Sequence, residues 1–288
     1  MEYFNSKKHE VHGADLYDQP SRRYHYTKVS RLSPEFDELF ERHKFDGVVN
    51  ASGSANVPYS MSHPVLDFES NTLDTIRVLD AVRKHQSQIK YVHISSAAVY
   101  GNPKQLPISE NDIVHPLSPY GWHKLLAEQL CVEYSSVFGI HTAVVRPFSV
   151  YGPGLKKQLF WDVFGKLHES EGTIELLGTG KESRDYIYID DLVRGLECVL
   201  LTGKMVGEVY NLASGVETSI AEAVELLVKV LKKPTALHFN GIIRPGDPLN
   251  WCANIDRIKE LGFCPVKSLP DGLTQLASWL HSQAKYNG

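Results

Sequence analysis

Apolar and polar positions along the chain follow two periods. Residues 10–15, Glu-Val-His-Gly-Ala-Asp, alternate and end on an acid, which predicts a strand. Residues 34–44 carry Phe36, Leu39 and Phe40 on one helical face. A short apolar strand, 47–51, follows, then a long helical pattern over 64–84 and a strand over 89–95. Ser118-Pro119 opens a second long helix, 118–138, and strand 142–146 precedes Pro147. Strand and helix alternate, so the pattern predicts parallel βαβ units with helices on both faces, an α/β doubly wound sheet. After about residue 153 the segments shorten. Helices are expected at 158–169, 190–202 and 219–231, with strands at 173–177 and 207–212. A tail containing Pro234, Pro245, Pro248 and Pro265 closes the chain. Two domains are expected, residues 1–153 and a smaller α/β lobe, 154–288, with some chain crossing back to the sheet.

Composition narrows the field. The 288 residues carry 30 Lys+Arg and 34 Asp+Glu, a formal charge of −4, which argues against a strongly basic nucleic-acid binder. Hydrophobic residues at 42% supply a real core. No run reaches the roughly 18 apolar residues of a membrane helix, and the first ten residues lack the apolar stretch of a signal peptide. The cysteines, Cys131, Cys198, Cys252 and Cys264, stand far apart, as reduced thiols of a cytoplasmic protein would. The 13 histidines, among them His93, His115 and His123, do not cluster at metal-ligand spacing; these three are expected to be incidental, and no metal is expected.

The strongest chemical signal is Tyr120-Gly-Trp-His-Lys124. On a helix, residues four apart share a face. An ammonium one turn from a phenol favours the phenolate, and an unaided tyrosine titrates near pH 10. Ser96 ends the preceding strand, the place where open α/β sheets hold ligands, and its hydroxyl can bond a substrate oxygen. A lone Tyr and Lys at this spacing also occur on ordinary amphipathic helices.

Further segments stand in order around this one: Ser95-Ser96-Ala97-Ala98-Val99-Tyr100-Gly101, Ser118-Pro119-Tyr120-Gly121, Arg146-Pro147-Phe148-Ser149-Val150-Tyr151-Gly152-Pro153 and Arg184-Asp185-Tyr186-Ile187-Tyr188-Ile189-Asp190-Asp191. Together they resemble the extended short-chain dehydrogenase/reductases, and more narrowly the NAD-dependent nucleotide-sugar epimerases and dehydratases, from about residue 9 onward. The resemblance implies NAD on the larger lobe and a nucleotide sugar on the smaller. It implies Tyr120 as catalytic base and acid, Lys124 as the group that lowers its pKa and bonds the nicotinamide ribose, and Ser96 as the group that orients the sugar hydroxyl. Asp15 would accept from the adenine ribose 2′-hydroxyl, favouring NAD over its 2′-phosphorylated form. Ala51, Ser52, Gly53, Asn71, Ser95, Pro147 and Phe148 match further cofactor positions. Ser149, Arg184, Arg244, Asp247 and Trp251 match the nucleotide-sugar side, where an arginine suits phosphate through its planar fork.

Departures from the resemblance select among activities. Dehydrating relatives carry acids just after the strand-end hydroxyl, because a leaving hydroxyl must be protonated. Ala97 and Ala98 can do no such work. A 4-epimerase of the UDP-hexose type remains, with a 4-keto-sugar reductase and a non-catalytic nucleotide-sugar binder as alternatives. Trp251, where such epimerases guard the pocket near C2, suits an unacetylated hexose such as UDP-glucose; Ser149 stands where several of them have asparagine. In relatives, helices equivalent to 64–84 and 118–138 form a homodimeric bundle, so a homodimer is expected.

The front end departs most. The family opens with a strand, a glycine-rich turn and a helix that hold the pyrophosphate. Here the first glycine is Gly13, already in the strand that should be second, and residues 2–8 resemble the end of the first helix. A gap beside the central strands is expected. Met1 as an internal methionine of a longer protein, a natural remnant, and a second chain filling the gap are the competing explanations.

Overall fold

The computed structural model describes residues 1–17, 24–30, 36–170, 172–242 and 246–284. The chain divides into two compact units. The first comprises Met1–Val99, Ser118–Val145 and Leu196–Val209; the second comprises Tyr100–Leu117, Arg146–Gly195 and Tyr210–Gly288. The units therefore interleave along the chain.

The first unit opens with α1 (Glu2–Ser6), β1 (His12–Asp15) and β2 (His25–Lys28). β1 and β2 pair in parallel, with Asp15 opposite Lys28. Then come α2 (Phe36–Arg42), β3 (Gly47–Asn50) and α3 (Val57–Ser62). The start of the helix expected at 34–44 lies outside the described residues. The pattern over 64–84 becomes α4 (Pro64–Phe68), a π-helical turn (Glu69–Leu73) and α5 (Asp74–His85). β4 (Lys90–Ile94), a 3-10 turn (Ala97–Val99), α6 (Pro119–Phe138) and β5 (His141–Pro147) follow. Strands β3, β4 and β5 run parallel.

The order β3-β4-β5 continues into β9, introduced below, while β1-β2 forms a separate sheet. Among the described residues no strand is hydrogen-bonded to both sheets. A core of Phe40, Leu79, Val82, Tyr91, Cys131, Ile140 and Val144 ties α2, α5 and α6 to the strands. α6 is bounded by local chemistry. Ser118 accepts a hydrogen bond from the Gly121 amide, Pro119 occupies the first turn, and Gly139 at φ +68° ends the helix in the left-handed region.

The second unit contains β6 (Ser149–Tyr151), α7 (Gln158–Glu169), β7 (Thr173–Leu176) and β8 (Ser183–Tyr188). α8 (Ile189–Thr202) and β9 (Val206–Leu212) each divide between the units. β10 (Glu217–Ser219), α9 (Ile220–Leu231), β11 (Ala236–Phe239), α10 (Asp256–Lys259) and α11 (Leu269–Ala284) complete the order. The sheets are β10-β8-β6 and β11-β7. α11 stands where the sequence reading placed only a proline-containing tail. Its apolar side, Leu273, Leu276 and Leu280, joins the core of Tyr151, Phe164 and Leu227. Gly272 permits this approach, since a Cβ there would lie 2.0 Å from the Tyr151 hydroxyl. No helix among the described residues is long and apolar enough to cross a membrane.

Candidate active site

In the first unit the structure brings Ser96, Tyr120 and Lys124 together. Ser96 follows β4; its Oγ accepts from the Ala98 amide at 3.1 Å, which leaves the hydroxyl proton free to point elsewhere. Ser96 also hydrogen-bonds Tyr120. Tyr120 and Lys124 are one turn apart on α6 and both are buried. Burial pushes the Tyr120 phenol up to about 12, the Ser96 hydrogen bond opposes this, and the Asp67 carboxylate reinforces it. The direction is opposite to that expected from the Tyr/Lys spacing, because desolvation of a phenolate outweighs nearby charge.

Lys124 turns its ammonium to backbone carbonyls, Ile94 at 3.0 Å and Ser52 at 3.4 Å. Burial lowers it to about 8, while the Asp67 and Glu128 carboxylates and the Cys131 thiol pull it back up. Asn50 fixes the Ser52 carbonyl. Its Oδ1 accepts from the Ser52 amide at 3.0 Å and the Ser52 hydroxyl at 2.6 Å, and its Nδ2 donates to the Tyr91 hydroxyl at 2.6 Å. Ala51 and Gly53 flank Ser52 in an exposed turn. Gly53 has φ +109°, and a Cβ on it would lie 2.2 Å from Asn71 Oδ1, so this turn presses closely on the π-helical segment.

Sequence reasoning missed three groups here. Glu128 is 1% exposed and accepts from the Ser95 hydroxyl, locking the end of β4 to α6. The only advance signal was its position one further turn along the face of Tyr120 and Lys124. Asn50 closes the network described above. Asp67 is 0% exposed and holds His123 at 2.7 Å. His123 is thus not incidental, as expected from sequence, but a partner of a buried acid. His93 is likewise placed: it is fully buried, with neither ring nitrogen hydrogen-bonded, and burial pushes it well below the ordinary imidazole value.

In the second unit, Arg184, Trp251, Phe148 and Asp247 assemble. The Arg184 guanidinium lies 5.6 Å from the Trp251 ring centre, and its Nη1 donates to the carbonyls of Ser183 at 2.8 Å and Leu249 at 3.1 Å. Burial pushes its pKa down and the neighbouring Asp247 pushes it up. Phe148 meets Trp251 edge-on at 5.9 Å, and the indole N–H donates to the Gly101 carbonyl at 3.0 Å. Trp251 is therefore a fixed wall. Ser149 pairs in register with Tyr186, and Pro147 ends β5. Arg244 lies outside the described residues. Asp185, next to Arg184, was also missed as an organiser. Its buried carboxylate accepts from Ser214 N (2.8 Å), Ser214 Oγ (2.7 Å), Gly215 N (2.9 Å) and Ala253 N (3.1 Å).

The residues present suit a dinucleotide in part. Asp15 is an exposed carboxylate at the end of β1, and the 51–53 turn, Ser96, Tyr120 and Lys124 gather at the ends of β3 and β4. These supply acceptors and donors for riboses and an amide. A glycine-rich turn for the pyrophosphate is not among the 288 residues.

Residues 1–213 match the NAD dependent epimerase/dehydratase family. The chain belongs to that family of enzymes, whose cofactor is NAD. It is 31% identical to an uncharacterized UDP-glucose epimerase of Bacillus subtilis (strain 168), over 98% of this chain and 93% of that protein. It is 30% identical to a UDP-glucose 4-epimerase of Azospirillum brasilense, over 85% of this chain and 76% of the relative. Among solved structures, a UDP-glucuronic acid 4-epimerase from Bacillus cereus, in complex with UDP-glucuronic acid and NAD, superposes with a TM-score of 0.88 at 28% identity, covering 97% of this chain and 93% of that one.

Proposed function

We propose that this chain is a UDP-hexose 4-epimerase acting by transient oxidation at C4. The observation that carries the reading is the Ser96–Tyr120–Lys124 set, with Tyr120 and Lys124 buried on α6 and Ser96 half-buried after β4, followed directly by Ala97 and Ala98. NAD, when bound, takes a hydride from C4 and returns it. Tyr120 removes the proton from the C4 hydroxyl and later gives it back. Ser96 accepts from the Ala98 amide and so aims its own proton at the oxygen it shares with Tyr120, favouring the phenolate. Lys124, fixed by two carbonyls, supplies the positive charge and a donor for the nicotinamide ribose. Asp15 and the 51–53 turn hold the adenosine side. Arg184 and Arg244 meet the nucleotide diphosphate, and Asp247 the nucleotide ribose. The alanines after Ser96 offer no acid or base for loss of a hydroxyl, which supports epimerisation over dehydration. The immobilised Trp251 supports an unacetylated sugar.

A homodimer accompanies this reading. α4 packs on α6, and the two expose Val65, Leu66, Phe68, Trp122 and Leu126, an apolar surface suited to a second copy. The four free cysteines fit a cytoplasmic setting.

Purified protein supplied with UDP-galactose, and with no added keto sugar or reductant, is expected to form UDP-glucose. Tyr120→Phe should lower the rate by about 10³-fold with the fold intact, the range for loss of a general acid–base group. Nucleotide-sugar binding without turnover would replace the reading with a binding module. Turnover only of a keto sugar with added reduced cofactor would replace it with a reductase.

A further inference from the structure

A buried carboxylate–imidazole contact joins Asp67, which belongs to none of the sequence motifs, to His123 between Tyr120 and Lys124. Asp67, on α4, is 0% exposed. Its Oδ2 lies 2.7 Å from His123 Nδ1, and the His123 side chain is 13% exposed. The second oxygen, Oδ1, is sealed from solvent and has no hydrogen-bond partner among the described residues. Such an atom forfeits solvation without replacement and persists only where something offsets it.

The surroundings show what the carboxylate faces. His123 sits on α6 three residues after Tyr120 and one before Lys124. Tyr120 feels Asp67 and the Ser96 hydroxyl. Lys124 feels Asp67, Glu128 and Cys131, with His93 approaching from β4. Among the described residues, Asp67 is the carboxylate that acts on both members of the pair. The π-helical turn fixes it in place. Asn71 Nδ2 donates to the Asp67 carbonyl at 3.1 Å, Ser70 Oγ donates to the same carbonyl at 3.1 Å, and Thr72 Oγ1 donates to the His123 carbonyl at 2.9 Å.

We propose that Asp67 is a positioning residue for the catalytic pair: its buried carboxylate favours the charged form of Lys124 beside Tyr120, and His123 holds that carboxylate in place. The inference rests on reading Tyr120 and Lys124 as that pair. Without its His123 donor, Asp67 would have neither oxygen paired among the described residues and would lose its fixed placement beside the pair.

The test is a pH titration of the full chain labelled with 13C at lysine Cε, followed by NMR, with Lys124→Met assigning the resonance. In the wild type Lys124 is expected to titrate at about 8. In Asp67→Asn it should titrate about one unit lower, the shift for removing a nearby opposite charge. His123→Val should move it the same way, and His123→Gln, which keeps a donor to Asp67, should restore the wild-type midpoint. A folded Asp67→Asn protein with an unchanged Lys124 midpoint overturns the proposal. If Asp67→Asn does not fold, identical midpoints in the Val and Gln variants overturn it instead. The readout needs no substrate. A protein that shows these shifts but does not epimerise refutes the functional reading alone.

Discussion

Asp185 and Asp67 are both fully buried carboxylates, one in each unit, and they are treated in opposite ways. Asp185 accepts four hydrogen bonds from the loops at 214–215 and 253. It organises shape, drawing the chain around Trp251 and Arg184. Asp67 has one partner and one oxygen with none. Its unpaired oxygen lies buried on α4, against the α6 helix that carries Tyr120 and Lys124. A saturated buried acid is a structural knot, whereas an unsaturated one beside titratable groups is an electrostatic device.

The contrast breaks most readily at Asp185. Asp185→Ala is expected to lower stability by about 3 kcal/mol in urea denaturation, because it strands the buried Ala253 amide and breaks the half-buried bonds from the Ser214 and Gly215 amides and the Ser214 hydroxyl. Asp67→Asn is expected to change stability by no more than about 1 kcal/mol, since the amide oxygen can still accept from His123. Equal losses would end the distinction.

Lys124 sharpens it. Its amine sits at about 8 in the folded protein against 10.5 as its ordinary value. Below pH 8 both states are protonated and the buried charge disfavours folding by about 3 kcal/mol. Between pH 8 and 10.5 the unfolded chain binds the extra proton, so this disadvantage fades as pH rises. Lys124→Met should therefore melt higher than wild type at pH 7, with the gap closing toward pH 10, while activity is lost at every pH. The smallest expected effect is Ser118→Ala, which removes the cap of α6 and should cost about 1 kcal/mol, again by denaturation.

The two units also differ in how far they could be read beforehand. The first unit writes its chemistry along one helix. Ser118-Pro119 opens α6, Gly139 closes it, and the spacing from Tyr120 to Lys124 places both on one side. Pairing over long separations was hidden: Asp67 and His123 lie 56 residues apart, and no local pattern joins them. β2, His-Tyr-Thr-Lys, went unseen because its residues are polar or half-exposed. In the second unit β8 carries Arg184 and Asp185 within a buried strand, which spoils the apolar run that marks one. α11 was obscured by Pro270 and Gly272, residues that usually end helices. Pro270 lies in the first turn and Gly272 makes room for Tyr151. The family was legible because it is written in short motifs, and the Tyr120–Lys124 juxtaposition because it depends on one helical turn. The supporting carboxylates were not, because they depend on packing.

The π-helical turn at Glu69–Leu73 has a consequence for insertions and deletions. The stretch from Pro64 to His85 looks like a single rod, but a wide turn lodges one surplus residue in it. That residue works as a phase shifter. Removing it would leave an unbroken α-helix and swing α4 by about 100° about the axis relative to α5. The exposed Val65 and Phe68 would trade places with polar neighbours, and Asp67 would rotate off His123. A shortening by one residue, harmless in most surface loops, would here disconnect an acid from its partner while leaving every catalytic side chain present.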